Sequence, residues 1–149
     1  MRMMQNNVII MYVTMVVIGM LFNPMNILAY RFSELYLSLT LFYGGLLMAS
    51  NMLWSHEIVH YLSMGHFNKI NFMIGVILSC IISIFLLRSQ LFVNDTQWLK
   101  RMISHHSTAL TTSNIIHKRT MNPKIKKLSK EIIETQEREI QLMKSIIHE

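Results

Sequence analysis

Cysteine is almost absent from this chain. Cys80 is the only one in 149 residues, so no internal disulfide can form and a cysteine-based zinc site is excluded. Charge is scarce as well. Only 15% of residues are Asp, Glu, Lys or Arg, against about 25% in average globular proteins. Aspartate occurs once, as Asp95, so an aspartate ligand for a metal site could come from no other position. Proline occurs twice, at Pro24 and Pro123, so long helices can run without interruption.

What fills the chain is apolar side chain, 52% of the total. It is concentrated in three runs without a charge: Val8 to Tyr30, Leu35 to Ser55 and Ile70 to Leu87. Each has about the 18 to 23 residues that cross a hydrocarbon core as a helix. The sequence therefore predicts an all-α protein with three transmembrane helices, at about 8–30, 35–55 and 70–87, forming a membrane domain over 1–90. The first run follows Arg2, but Asn23 to Tyr30 contains no small-x-small cleavage pattern. It reads as a retained anchor with Pro24 as a kink, not as a signal peptide.

Beyond Arg88 the chain turns polar. Ten Lys/Arg stand against six Asp/Glu from Asp95 onward, a basic balance suited to anionic lipid headgroups. These charges alternate with acids along helices, which argues against nucleic acid as a partner. Asn94-Asp95-Thr96 offers an N-cap. Trp98, Met102, His105, Ala109, Thr112 and Ile116 then recur at helical spacing. Asn122-Pro123 opens a second helix, capped by Asn122 with Pro123 in the first turn. Its expected inner face is Ile125, Leu128, Ile132, Gln136, Glu139, Met143 and Ile146. The result is a helical hairpin over 95–149. It is too small to bury much surface alone, so a homodimer with four paired helices is expected.

Within the hairpin, Met102, His105 and His106 stand at i, i+3 and i+4. Counting from the turn near Met121, Gln136, Glu139 and Met143 fall at similar heights on the facing helix. Imidazole and thioether together suit copper, and thioether favours Cu(I). Glu139 and Gln136 suit a supporting role beside the ligands. The competing reading has methionine filling the core and the histidines at a polar helix edge.

The stretch Trp98-Leu-Lys-Arg-Met102-Ile-Ser-His105-His106-Ser-Thr-Ala109 resembles the "W-hydrophobic-x-x-M-I-x-H-H-x-x-A" signature of the domain-of-unknown-function 305 family. Glu131-Ile-Ile-Glu-Thr-Gln136-Glu-Arg-Glu139-Ile140-Gln-Leu-Met143 resembles its second signature, "E-I-I-x-x-Q-x-x-E-I-x-x-M". The resemblance covers about Asp95 to Ile147 and is similar to the short membrane-anchored members. It implies a ferritin-like bundle and copper binding of the kind known from extracytoplasmic members linked to copper resistance. Met102, His105, His106 and Met143 are then the candidate ligands, with Gln136 and Glu139 supporting. Ser104 departs from the pattern, which often has proline there, and this chain has fewer helices than soluble members.

Charges flanking the runs give a cytoplasmic hairpin by the positive-inside rule, whereas the resemblance implies an extracytoplasmic one. The extracytoplasmic side is preferred, because much of the charge lies in a folded domain, where the rule is weak.

A second histidine group is His56-Glu57-Ile58-Val59-His60, the H-E-x-x-H pattern of zinc proteases. As a zinc hydrolase it needs Glu57 as general base and a third ligand. His66 lies six residues beyond His60, and Asp95 lies across the membrane on this topology. The same histidines also belong to a spacing-of-four series, Met48, Met52, His56, His60 and Met64, which reads as a second metal stripe or as interfacial histidines among packed methionines. Three functions follow: a membrane-anchored copper protein for sequestration or handling, a self-assembling structural protein without metal, and a zinc hydrolase.

Overall fold

The computed structural model describes the backbone of residues 2–148 and the side chains of residues 7–148. The side chain of Arg2, the basic residue before the first apolar run, and Glu149, the end of the expected hairpin, lie outside the described residues. Every regular element among them is helical. In chain order these are α1 (Arg2–Leu21), α2 (Pro24–Ile27), α3 (Leu39–Met64), α4 (Lys69–Ile81), α5 (Asp95–Arg119) and α6 (Pro123–His148). A 3₁₀ turn, Phe32–Glu34, lies between α2 and α3, and α4 continues as wider π-type turns over Ile82–Arg88.

The helices form two compact units. In the first, α3 packs against both α1 and α4. Small residues set these crossings. A Cβ on Gly45 would lie 2.8 Å from the Val16 carbonyl oxygen of α1, and one on Gly75 would lie 2.8 Å from the Trp54 backbone nitrogen of α3. Backbones in such close approach associate through packing contacts, the means by which helices pair in lipid. Two segments are long and apolar enough to cross a membrane, Asn7–Ile27 and Lys69–Arg88.

The middle apolar run does not join them: its helix is 26 residues long but too polar, so two segments among the described residues, and not the expected three, meet that measure. Its helix, α3, carries Ser50, Asn51, Ser55, His56, Glu57 and His60 along its length. These polar groups find partners within the unit: the Tyr12 hydroxyl lies 2.9 Å from Ser50 Oγ, and Ser79 Oγ donates to Asn51 Oδ1 at 2.9 Å.

The second unit joins the α5–α6 hairpin to Asn23–Ser38, the link between α1 and α3. The expected kink at Pro24 is a full break. Asn23 caps a new helix, its Oδ1 accepting the Met25 and Asn26 N–H groups at 3.0 and 3.1 Å, with Pro24 in the first turn, where its missing N–H costs nothing. The hairpin's own caps follow the sequence: Asn94 accepts from Gln97 N–H at 2.9 Å and Asn122 from Lys124 N–H at 2.9 Å.

The hairpin's inner face is shifted by about one residue from the expected one. Its core is Leu99, Ile103, Leu110, Ile140 and Met143, with Tyr36, Met102, Ile133 and Ile147 packed against it. Trp98 and Ile116, expected inside, are exposed, as are Ile125, Leu128 and Ile146. Serine completes the buried set, with Ser104, Ser107, Ser113 and Ser129 all buried. These small side chains let α5 meet both α6 and the Asn23–Ser38 segment.

Candidate functional site

On α5, His105 is exposed and His106 is turned toward α6, its side chain only 12% exposed. Adjacent helical residues diverge by about 100°, and the two ring centres stand 6.0 Å apart. His106 Nδ1 lies 3.2 Å from Glu139 Oε2. The approach lacks hydrogen-bond direction, so this buried nitrogen has no hydrogen-bond partner. Burial holds the His106 pKa below the ordinary histidine value, against the attraction of Glu139 and with the repulsion of His105. The ring is therefore neutral at neutral pH, the form that ligates metals.

Of the two thioethers, Met143 is buried in the hairpin core and Met102 packs against it. Gln136 is half-buried on α6. The structure thus brings Met102, Met143, His106 and Glu139 to the α5–α6 contact, while His105 faces outward. Among the described residues no three His, Cys, Asp or Glu side chains converge as a metal cluster. A soft-metal site here would depend on sulfur as well as nitrogen.

Sequence reasoning missed the most buried ionisable group. Glu34, in the 3₁₀ turn, is 0% exposed. Its carboxylate accepts from Ser107 Oγ at 2.7 Å, Arg31 at 3.1 Å and Lys144 Nζ at 3.2 Å. Arg31 also pairs with Glu137 of α6. Burial raises the Glu34 pKa, but the hydrogen bonds from Ser107, Arg31 and Lys144 together outweigh it, and the carboxyl lies below its usual range.

Around this group the Asn23–Ser38 segment is sewn to α5. Tyr30 N–H donates to Ser107 Oγ at 2.7 Å, and Thr108 Oγ1 to the Met25 carbonyl at 3.2 Å. Ser104 Oγ donates to the Glu34 carbonyl at 3.0 Å, a bond that proline at this position could not make. The available signal was that Glu34 is one of only two acids before Asp95.

In the first unit, Glu57 is buried and accepts from Asn68 N–H at 3.0 Å and Asn71 Nδ2 at 3.2 Å. It faces the N-terminus of α4, where a carboxylate complements the helix dipole. His56 and His60 lie on a different face of α3. The general base of the hydrolase reading is thus turned away from its two histidines and engaged as a helix cap. The buried stripe of α3 is Leu41, Gly45, Ala49, Leu53 and Glu57. The Met48, Met52, His56, His60, Met64 series runs one residue out of phase with it, and Met48, Met52 and Met64 are exposed. The Met48 sulfur sits 3.0 Å from where a Cβ on Gly19 of α1 would be, which gives it a packing role.

A fold that joins a capped helical hairpin, a His-His pair on its first helix and a Gln-x-x-Glu on its second carries the features of one family. Residues 89–149 match the family described as domain of unknown function (DUF305), and the chain belongs to it. Over 146 residues it is 36% identical to an uncharacterized protein of Acanthamoeba polyphaga mimivirus, covering 98% of this chain and 95% of that one. The likeness therefore includes the apolar helices as well as the hairpin. No solved structure matches.

Proposed function

We propose that the protein is a membrane-anchored copper-binding protein that sequesters or hands on the metal. Met102, His105, His106 and Met143 are its ligands, and Glu139 and Gln136 support them. The observation that carries this reading is His106: a neutral, nearly buried imidazole whose Nδ1 has no hydrogen-bond partner, on the α5–α6 contact to which Met102 and Met143 also belong. An orphaned buried nitrogen costs about 1–3 kcal/mol, and a bound ion would remove that cost. Thioether and imidazole donors fit Cu(I). His105 would need to turn toward the ion or receive it first from solvent, which its exposure allows.

The anchor is α1 and α4, with α3 crossing between them and turning Ser50, Asn51 and Glu57 toward its neighbours. The hairpin unit is taken as extracytoplasmic. The partners are membrane lipid and a second copy of the chain. The exposed stripe of Ile125, Leu128 and Ile146 on α6 supports that pairing, since water-exposed apolar faces of this kind mark interaction surfaces.

Metal content of the full chain purified in detergent tests the reading. Copper bound at one ion per chain, and held more weakly in Met102→Leu with helicity retained, is the expected result. Protein that takes up no copper supports a self-assembling structural role instead.

A further inference from the structure

The α3–α4 turn gathers three histidines that the hairpin does not use. His56 and His60 stand one helical turn apart on α3, with ring centres 5.8 Å apart. Gly65 ends the helix in the left-handed conformation, φ +69°, its N–H returning to the Tyr61 carbonyl at 2.9 Å. That turn, which favours glycine, folds His66 back against His60, with ring centres 5.6 Å apart. For comparison, Zn–N bonds of about 2.0–2.1 Å at a tetrahedral angle hold two coordinating rings about 5 Å apart.

His60 is also oriented. Its Nδ1 lies 3.2 Å from the His66 carbonyl oxygen. With Nδ1–H donating there, the Nε2 lone pair is left for another partner, the arrangement usual for metal-bound imidazoles. The rings form a row and do not surround one point, so His56 and His66 must rotate toward His60 Nε2. Both side chains are exposed, and this motion displaces solvent and not core.

We propose that His56, His60 and His66 form a second metal site, for a divalent cation that prefers nitrogen ligands, represented by Zn²⁺. It is chemically unlike the sulfur-containing hairpin site, because its donors are imidazoles alone. Glu57 is not a ligand or a base in it, being engaged at the start of α4. The role is binding and not hydrolysis.

The test is a Zn²⁺ titration of the full chain in detergent against a chromophoric chelator, in a His105→Ala/His106→Ala background that removes the hairpin histidines. One Zn²⁺ should still bind. Adding His60→Gln, which keeps a helix-compatible side chain, should weaken it at least about tenfold, the scale on which even outer partners of metal ligands act. His56→Ala and His66→Ala should each weaken it too, with helicity unchanged. Cu²⁺ as a spectroscopic probe should show nitrogen hyperfine coupling that falls with each histidine removed. No Zn²⁺ bound in the double-variant background, affinity unchanged in the triple His56/His60/His66 variant, or an oxygen-only Cu²⁺ spectrum would each overturn the proposal.

Discussion

Glu34 and His106 carry the unusual electrostatics of the hairpin unit, and both titrate in the same sense. Each has a folded pKa below its ordinary value, so each contributes stability above its unfolded pKa that is lost as pH falls through the folded one. For His106 that loss begins below about pH 6.5, and for Glu34 it begins in the carboxylate range and continues below it. Acid melts should therefore fall in two stages. His106→Gln should remove the upper stage. Glu34→Gln should remove the lower one and lower stability at neutral pH by about 1–3 kcal/mol, because Arg31, Lys144 and Ser107 lose their common acceptor. Thermal melts from about pH 2 to 8, spanning the carboxylate and histidine ranges, check this, and a single stage unaffected by either variant would contradict it. The approach of Glu139 to His106 was legible in the hairpin spacing, but the environment of Glu34 was not. A lone glutamate in a loop gives no sign that the loop folds back onto a helix some seventy residues later.

Element boundaries were more legible than element faces. Asn94, Asn122 and Pro123 marked both hairpin starts, because caps act through neighbouring N–H groups and need no tertiary context. The phase of each helix was not so marked. Trp98 drew the inner face of α5 to the wrong side, since it is the largest apolar residue there and yet is 52% exposed, while Ser104 and Ser107 were buried by polar bonds to the loop. In α3 the buried stripe of Gly45, Ala49 and Leu53 stands one residue from the Met48, Met52, His56, His60 series, because close helix crossings select small side chains that hydrophobic spacing does not flag.

Two comparisons check the observed faces. Ile140→Ala, at a fully buried position, should lower stability by about 2–5 kcal/mol. Leu128→Ala, at 56% exposure, should change unimolecular stability by no more than about 0.5 kcal/mol while reducing cross-linking between hairpins through a cysteine at position 132. Equal effects of the two on melting would place the inner face wrongly. Likewise Gly75→Ala should destabilise the α3–α4 crossing, as its Cβ meets Trp54 backbone at 2.8 Å, whereas Gly44→Ala, which meets no described heavy atom within 4 Å, should be tolerated. Detergent-resistant melting separates them.

For the molecule as a whole, composition gave long helices with few breaks, two of them long and apolar enough to cross a membrane. Motif spacing gave the family, since two ordered signatures on a hairpin are seldom met by chance. What spacing could not give was the assignment of residues 23–38 to the hairpin unit, which depends on side-chain bonds distant in sequence. That assignment bears on topology. Reporters placed after Glu149 and within the Asn23–Ser38 segment should lie on one side of the membrane, and one near Gly65 on the other. All three on one side would remove the crossing by α3.

The central claim, copper held at the α5–α6 contact, is tested most directly by competition for Cu(I) against a chelator of known affinity, with helicity followed in parallel. The wild-type chain should withdraw one Cu(I). His105→Ala/His106→Ala should abolish that uptake, and Met102→Leu should weaken it with packing volume preserved. Glu139→Gln should weaken it by at most about ten- to a hundred-fold, as befits a group acting through a ligand. A double-histidine variant that still binds one Cu(I) with wild-type affinity would contradict the account.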